Sequence, residues 1–265
     1  MKFSHNSFSR RLKTMLKTDF RRLFTMPLLY IMAGGCLVMP ILILVMTTML
    51  DGSVSVDPQT GVETVVEGFD NVWQIIGAVS TAESTAAMDM TSMCNINILY
   101  FIAAILVCIF VSGDFRSGYA KNLFAVRAKK SDYVISKTLV CFTGGALMIL
   151  AFFAGSLAGG AISGLPFAME GFGVDNIVIC VLSKILLIGV FVALYLMWSI
   201  IGKARLWLSL AGSMMTAMFL FMMIPMLTPL DADLLHAVGC LAGSLLLGIG
   251  LGAVSNGILR KTSLV

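Results

Sequence analysis

Long uninterrupted apolar runs, separated by short polar segments, dominate the chain. Six of them run roughly Leu28–Leu50, Asn95–Ser112, Thr138–Gly164, Val178–Ile201, Leu206–Leu227 and His236–Ile258. A helix rises ~1.5 Å per residue and needs about 20 apolar residues to cross ~30 Å of hydrocarbon, so each run reads as a membrane span. The runs are continuous rather than alternating, which favours helices over barrel strands, and a helix in lipid satisfies its own backbone. The first run follows a basic segment, as a signal peptide would. Its apolar part is too long for one and no small-x-small site follows, so it is expected to be a retained span.

The polar remainder adds two amphipathic elements. Between Ser7 and Phe24, Phe8, Leu12, Met15, Leu16, Phe20 and Leu23 recur at helical spacing among Arg10, Arg11, Lys13, Lys17 and Arg21. That pattern predicts a helix lying at a membrane surface, apolar face down. In the long loop 51–94, Gly52, Pro58, Gly61 and Gly68 punctuate the first half. Val72, Ile75, Ile76 and Val79 then predict a short helix touching the membrane surface.

Composition supports the span reading. The chain is 58% hydrophobic and 12% charged, about half the charge fraction of an average soluble domain. The charges sort by loop. Lys2, Arg10, Arg11, Lys13, Lys17, Arg21 and Arg22 precede the first run, against Asp19 alone. The next loop holds Asp51, Asp57, Glu63, Glu67, Asp70, Glu83 and Asp89 and no base. Basic and acidic loops then alternate to Arg260 and Lys261. Lys and Arg stay on the cytoplasmic side, so both termini are expected there. The organisation is a cytoplasmic amphipathic segment 1–27, a six-helix membrane domain 28–258 and a cytoplasmic tail 259–265, with loop 51–94 outside and loop 113–137 inside. Basic loops suit an anionic inner leaflet or a cytoplasmic partner; no aromatic-basic module points to nucleic acid.

Several residues invite a functional reading. Lys184 lies about seven residues inside the fourth run, ~10 Å from its outer end by helix rise. It either snorkels to the outer surface or faces a pathway. Met214, Met215, Met218, Met222, Met223 and Met226 crowd the fifth run. They are ordinary packing residues, a soft path for apolar substrates in which Met218 and Met222 are central, or Cu(I) ligands. Pro225 is expected to kink this run and Pro229 to help end it, leaving Leu230–His236 as a short external or re-entrant element. Gly155/Gly159, Gly160/Gly164, Gly239/Gly243 and Gly248/Gly252 sit four apart and let helices approach closely, within one subunit or at a dimer seam. The six cysteines are scattered, without metal or disulfide spacing, and read as small packing residues.

Chemistry of its own is not expected. His5 and His236 are the only histidines, and neither H-E-x-x-H nor G-x-S-x-G occurs. There is no G-x-x-x-x-G-K-[ST] run, so ATP binding cannot be argued for this chain. No cofactor is expected. The apolar runs hold no Asp or Glu, which weighs against an ion-coupled carrier.

The segment Gly113–Lys137, GDFRSGYAKNLFAVRAKKSDYVISK, is the most informative. Tyr119, Leu123, Phe124 and Val126 give it a partly apolar face among bases, and Ser131-Asp132 is expected to cap the following helix. Such a helix either docks in a partner's groove or lies on the membrane. The segment resembles the loop between the second and third spans of ABC-2-type transporter permeases, in particular bacterial peptide-antibiotic export and immunity permeases. Their acid, Ser/Thr–Gly element, bases and span-opening Lys correspond to Asp114, Ser117-Gly118, Lys121-Asn122, Arg127 and Lys137. The acid is often Glu in the wider family. The amphipathic amino-terminal helix, six spans and inside termini extend the resemblance over nearly the whole chain.

The resemblance implies a coupling helix over roughly Gly118–Arg127, inserted into a separate ABC ATPase subunit. A second permease, identical or different, would complete the transporter in a bacterial plasma membrane. Asp114 and Gly118 would position the helix, Leu123 and Phe124 would fill a groove, and Lys121, Asn122 and Arg127 would make polar contacts. The implied function is export of a hydrophobic or amphipathic substrate. The alternatives are a membrane assembly or signalling protein and a secondary carrier.

Overall fold

The computed structural model describes residues 8–56, 63–65, 68–79, 95–125, 129–169 and 171–261. Helix α1, Phe8–Thr25, is followed after Met26 by α2, Pro27–Leu50, which opens on a proline whose fixed φ suits a first helical turn. A short antiparallel ribbon pairs Val54–Val56 (β1) with Glu63–Val65 (β2). After a 3-10 turn at Ile96–Ile98 come α3, Leu99–Arg116, and α4, Tyr119–Ala125. The remainder is α5, Lys130–Ser163, α6, Val174–Gly202, α7, Leu206–Phe221, α8, Ile224–Leu227, and α9, Leu234–Lys261.

The chain is an all-α polytopic membrane protein. Among the described residues five helices, α2, α3, α5, α6 and α9, are long and apolar enough to cross a bilayer. The sixth expected span, Leu206–Leu227, is divided. Its long part, α7, has 16 residues and stops at Phe221. The reason is local: the ring of Pro225 would clash with the carbonyl four residues back, at Phe221. The chain therefore turns at Met222-Met223 and restarts as α8 with Pro225 in its first turn.

Helices α2 and α5 pack closely because α5 offers glycine where α2 has Pro40. A methyl on Gly155 would overlap the Leu37 carbonyl, and one on Gly159 would lie 2.8 Å from Ile41 Cα. The expected glycine packing within one subunit holds here. It does not hold on α9, where Gly239, Gly243 and Gly248 meet nothing within 4 Å. That helix lies on the outside of the bundle along α6, and its glycine face is open.

The segment at Val72–Ile75 differs from the surface helix expected there. It is a 3-10 turn with Val72, Ile75 and Ile76 fully buried. It closes one end of the bundle: Val72 N–H donates to the Pro166 carbonyl at 3.2 Å, and a methyl on Gly160 would strike Val72. The side chains are apolar enough for lipid, but Gly160 leaves a socket in α5 that protein fills instead. The Leu230 N–H donates to the Ala78 carbonyl at 2.9 Å, tying the turn after α8 to the same plug.

Candidate functional site

At the opposite, basic end of the bundle the chain buries charge. Asp19 of α1, Asp114 of α3 and Lys137 of α5 are each 0% exposed. Lys137 Nζ lies 2.8 Å from Asp19 Oδ1 and 2.7 Å from Asp114 Oδ2. Arg22 Nη2 donates to Asp114 Oδ1 at 2.6 Å. Tyr133 donates its hydroxyl proton to Asp114 Oδ2 at 3.0 Å, and Ser136 donates to Asp19 Oδ2 at 2.7 Å. Every oxygen of both carboxylates thus has a donor, and two acids face two bases. Buried charge is tolerated only with such pairing and satisfaction.

Aromatic rings complete the shell. The Phe110 centroid lies 4.1 Å from Lys137 Nζ, and the Tyr119 centroid lies 4.1 Å from the Arg22 guanidinium. These are cation–π distances. Partial burial opposes the charge on Arg22, but Asp114, with Tyr119 and Asp19, outweighs it and the guanidinium is held above its ordinary pKa. The cluster joins α1, α3, α4 and α5. A second clasp, Arg11 Nε to Asp132 Oδ2 at 3.1 Å, again ties α1 to α5.

The local sequence explains the arrangement. Helix α5 begins at Lys130, eight positions before the apolar run at Thr138, so Asp132, Tyr133, Ser136 and Lys137 are presented on an already formed helix. The expected Ser131-Asp132 cap is not made: the N-cap is Lys129, and Asp132 faces Arg11 instead. On α1, Met15, Asp19 and Leu23 are four apart and form the buried stripe. Helix α1 therefore lays that stripe on α5, while Phe8 and Phe24 stay exposed.

The residues singled out in the sequence fall in different places. Asp114 is the centre of the cluster. Gly118 has φ +73°, a left-handed turn that strains other residues, and it redirects the chain from α3 into α4. Lys121 and Asn122 are exposed on α4. Leu123 and Phe124 are half-buried and pack inward, with the Phe124 ring edge-on to Tyr133 at 5.4 Å. Arg127 lies outside the described residues. Met218 on α7 and Met222 in the turn that follows it are exposed.

Lys184 does not snorkel. It is 1% exposed, and its Nζ donates to Asn97 Oδ1 at 3.0 Å and to Thr228 Oγ1 at 2.8 Å. Burial follows from the plug above it: the turn after α8 folds back over α6 and brings Thr228 to the ammonium. Tyr100 donates to the Lys184 carbonyl at 3.0 Å, so α3 and α6 are bonded at the same level.

Sequence reasoning missed Asp19, Arg22 and Tyr133 as members of the basic-end cluster. A signal for Asp19 existed: it sits at i+4 from Met15 and i−4 from Leu23, on the apolar stripe of an otherwise basic helix. Among the described residues no group of three His, Cys, Asp or Glu side chains is placed to hold a metal ion. Cys36, Cys108, Cys141, Cys180 and Cys240 are free and buried.

No family model, no curated protein and no solved structure matches the chain.

Proposed function

We propose that this chain is the permease subunit of an ATP-binding-cassette exporter, moving a hydrophobic or amphipathic substrate with ATP hydrolysed by a separate subunit. The observation that carries the reading is the Asp114 cluster. A seven-residue helix is too short to be stable alone. Here α4 is pinned through Tyr119 and Arg22 to Asp114, and through Phe124 to Tyr133, so α1, α3, α4 and α5 form one rigid foot. Force applied at the exposed Lys121 and Asn122 would pass directly into two spans. A coupling element needs that property, and a surface loop does not.

In this reading the basic end faces the cytoplasm, as the distribution of Lys and Arg directs. Leu123 and Phe124 hold α4 to the foot, while Lys121 and Asn122, with Arg127, meet the ATPase. The exposed methionine face of α7 and the turn after it, including Met218 and Met222, is where a second permease would sit. The resemblance to peptide-antibiotic export and immunity permeases favours a peptide-like substrate.

The test is purification of the intact complex from native membranes, with subunits identified by mass. Lys121→Glu and Asn122→Arg alter exposed positions and leave the foot intact. Each is expected to release the co-purifying ATPase while the permease keeps its melting behaviour. An ATPase that stays fully bound to both variants would sink the coupling assignment. Modification of Lys121 or Lys129 by an impermeant reagent added to sealed cells would reverse the topology. Transport by purified protein in proteoliposomes without ATP would favour a secondary carrier, and a non-ATPase partner on the basic loop would favour an assembly protein.

A further inference from the structure

A groove of about 700 Å³ runs along the outside of the bundle between α5 and α9, floored by Leu186 and Gly189 of α6. Its walls are apolar side chains such as Val134, Leu139, Leu245 and Ile249. It narrows around Phe142, Gly189 and Ser244, where a methyl on Gly189 would lie 2.5 Å from the Ser244 hydroxyl and 3.5 Å from the Phe142 ring. The other end opens at Ser131 and Asn256, at the basic end of the molecule. From Ser131 to Phe142 is ~16 Å of helix, about half of a ~30 Å hydrocarbon core. The groove is one leaflet deep.

Its polar atoms are distributed unevenly. The hydroxyls along it are satisfied by protein: Thr138 donates to the Val134 carbonyl and Ser244 to the Leu186 carbonyl. At the mouth, Asn256 Oδ1 is buried without a partner. Lys129, Arg260 and Lys261 are exposed at the adjoining ends of α5 and α9, which Lys130 ties together by donating to the Leu259 carbonyl at 2.6 Å. The nearest acid on α5, Asp132, is already paired with Arg11. The mouth is therefore net basic and holds an acceptor in need of a donor.

We propose that this groove is a binding site for one anionic glycerophospholipid of the inner leaflet, with a hydroxyl-bearing headgroup. An acyl chain lies against the α6 floor, the phosphate meets the bases, and a headgroup hydroxyl donates to Asn256. A helix is a poor occupant: at Gly252 an added methyl would sit 3.8 Å from Val134, so α5 and α9 are too close there to admit a body ~10 Å wide. The open face at Gly248, where an added methyl would meet nothing within 4 Å, leaves the space a chain requires. This proposal rests on the basic end facing the cytoplasm and is independent of any ATPase.

The test is native mass spectrometry of the protein alone, released from nanodiscs of equal phosphatidylglycerol and phosphatidylcholine. One phosphatidylglycerol per chain is expected to survive release. Gly248→Leu with Gly252→Leu fills the groove, and that lipid should be lost while the melting temperature holds. Lys129→Gln with Arg260→Gln and Lys261→Gln changes only exposed positions, so it probes the mouth without risk to the fold. It should retain a lipid but lower the preference for phosphatidylglycerol by about a hundredfold, at ~1 kcal/mol for each of the three bases near a headgroup. Undiminished retention in the groove-filled variant, no preference in the wild type, or a Leu245→Cys cross-link between two copies would each overturn the proposal. Failure of the ATPase to bind would not affect these outcomes, and failure of the lipid would leave the ATPase reading intact.

Discussion

The Lys137 ammonium lies 2.8 Å from the Asp19 carboxylate, with neither residue exposed and 118 positions of chain between them. The contact sets the position of α1. Without it, α1 is an amphipathic helix that a membrane surface could hold in many registers. With it, α1 is docked on α5 in one.

Removing one partner from such a pair leaves an uncompensated buried charge. Lys137→Met is expected to cost about 3–5 kcal/mol, because Asp19 and Asp114 would then face each other with only Arg22 near. Adding Asp19→Asn should restore part of that loss, with a coupling of about 0.5–3 kcal/mol. Denaturation in micelles, monitored for both single variants and the double, measures the cycle. Strict additivity would show that the two side chains do not interact.

Arg22 is the hinge between this cluster and α4, since it bonds Asp114 at 2.6 Å and underlies the Tyr119 ring at 4.1 Å. Arg22→Lys keeps the charge and loses the planar surface that stacks on the ring. The stacking is worth about 0.5–1 kcal/mol at a partly exposed site, so the global melt should hardly move. Amide hydrogen exchange over Tyr119–Ala125 should accelerate while α3 and α5 stay protected. Unchanged exchange in α4 would mean that Arg22 does not pin it.

How much of this was legible in the sequence follows from the physics of each signal. Hydrophobic runs place α2, α3, α5, α6 and α9 to within a turn or two, because each span's solvent is lipid and one run carries the whole signal. The end of α5 was harder. Its first eight residues mix Val134 and Ile135 with Lys130, Ser131, Asp132, Ser136 and Lys137, and the helix persists through them because Asp132, Ser136 and Lys137 find partners on α1 and α3. The α1 partners lie between 117 and 121 positions away along the chain, and Asp114 on α3 lies 23 positions from Lys137. No local window contains them, so the site around Asp114 was legible as a motif but not as a cluster. Lys184 failed for the same reason, since the cover supplied by Thr228 depends on where the chain turns after Pro225.

Impermeant amine reagents distinguish the two accounts of Lys184. A snorkelling ammonium reaches the outer surface and is modified in intact cells. The buried ammonium, bonded to Asn97 and Thr228, is expected to remain unmodified under conditions that label detergent-unfolded protein. Lys184→Met keeps most of the unbranched stem and should cost about 1–3 kcal/mol, chiefly through the unsatisfied Asn97 oxygen. Lys184→Ala should cost more, because it adds a cavity to the lost bonds. Equal costs would indicate that the stem contributes no packing.

The glycines of α5 and α9 share a spacing and differ in what surrounds them, which gives the sharpest contrast. At Gly155 an added methyl would meet backbone, the Leu37 carbonyl, and backbone cannot rotate away. Gly155→Ala is therefore expected to push α2 from α5 and destabilise by about 3 kcal/mol, at the upper end for overpacking. At Gly239 and Gly243 nothing lies within 4 Å. Alanine there removes a glycine from an open helix face and should stabilise by about 0.5–1 kcal/mol. Thermal unfolding in detergent, followed by size-exclusion chromatography, compares the two helices directly. If Gly243→Ala instead disrupted an assembly while leaving the isolated chain stable, the open face of α9 would be a seam with a second subunit, and the α7 methionines would lose that role.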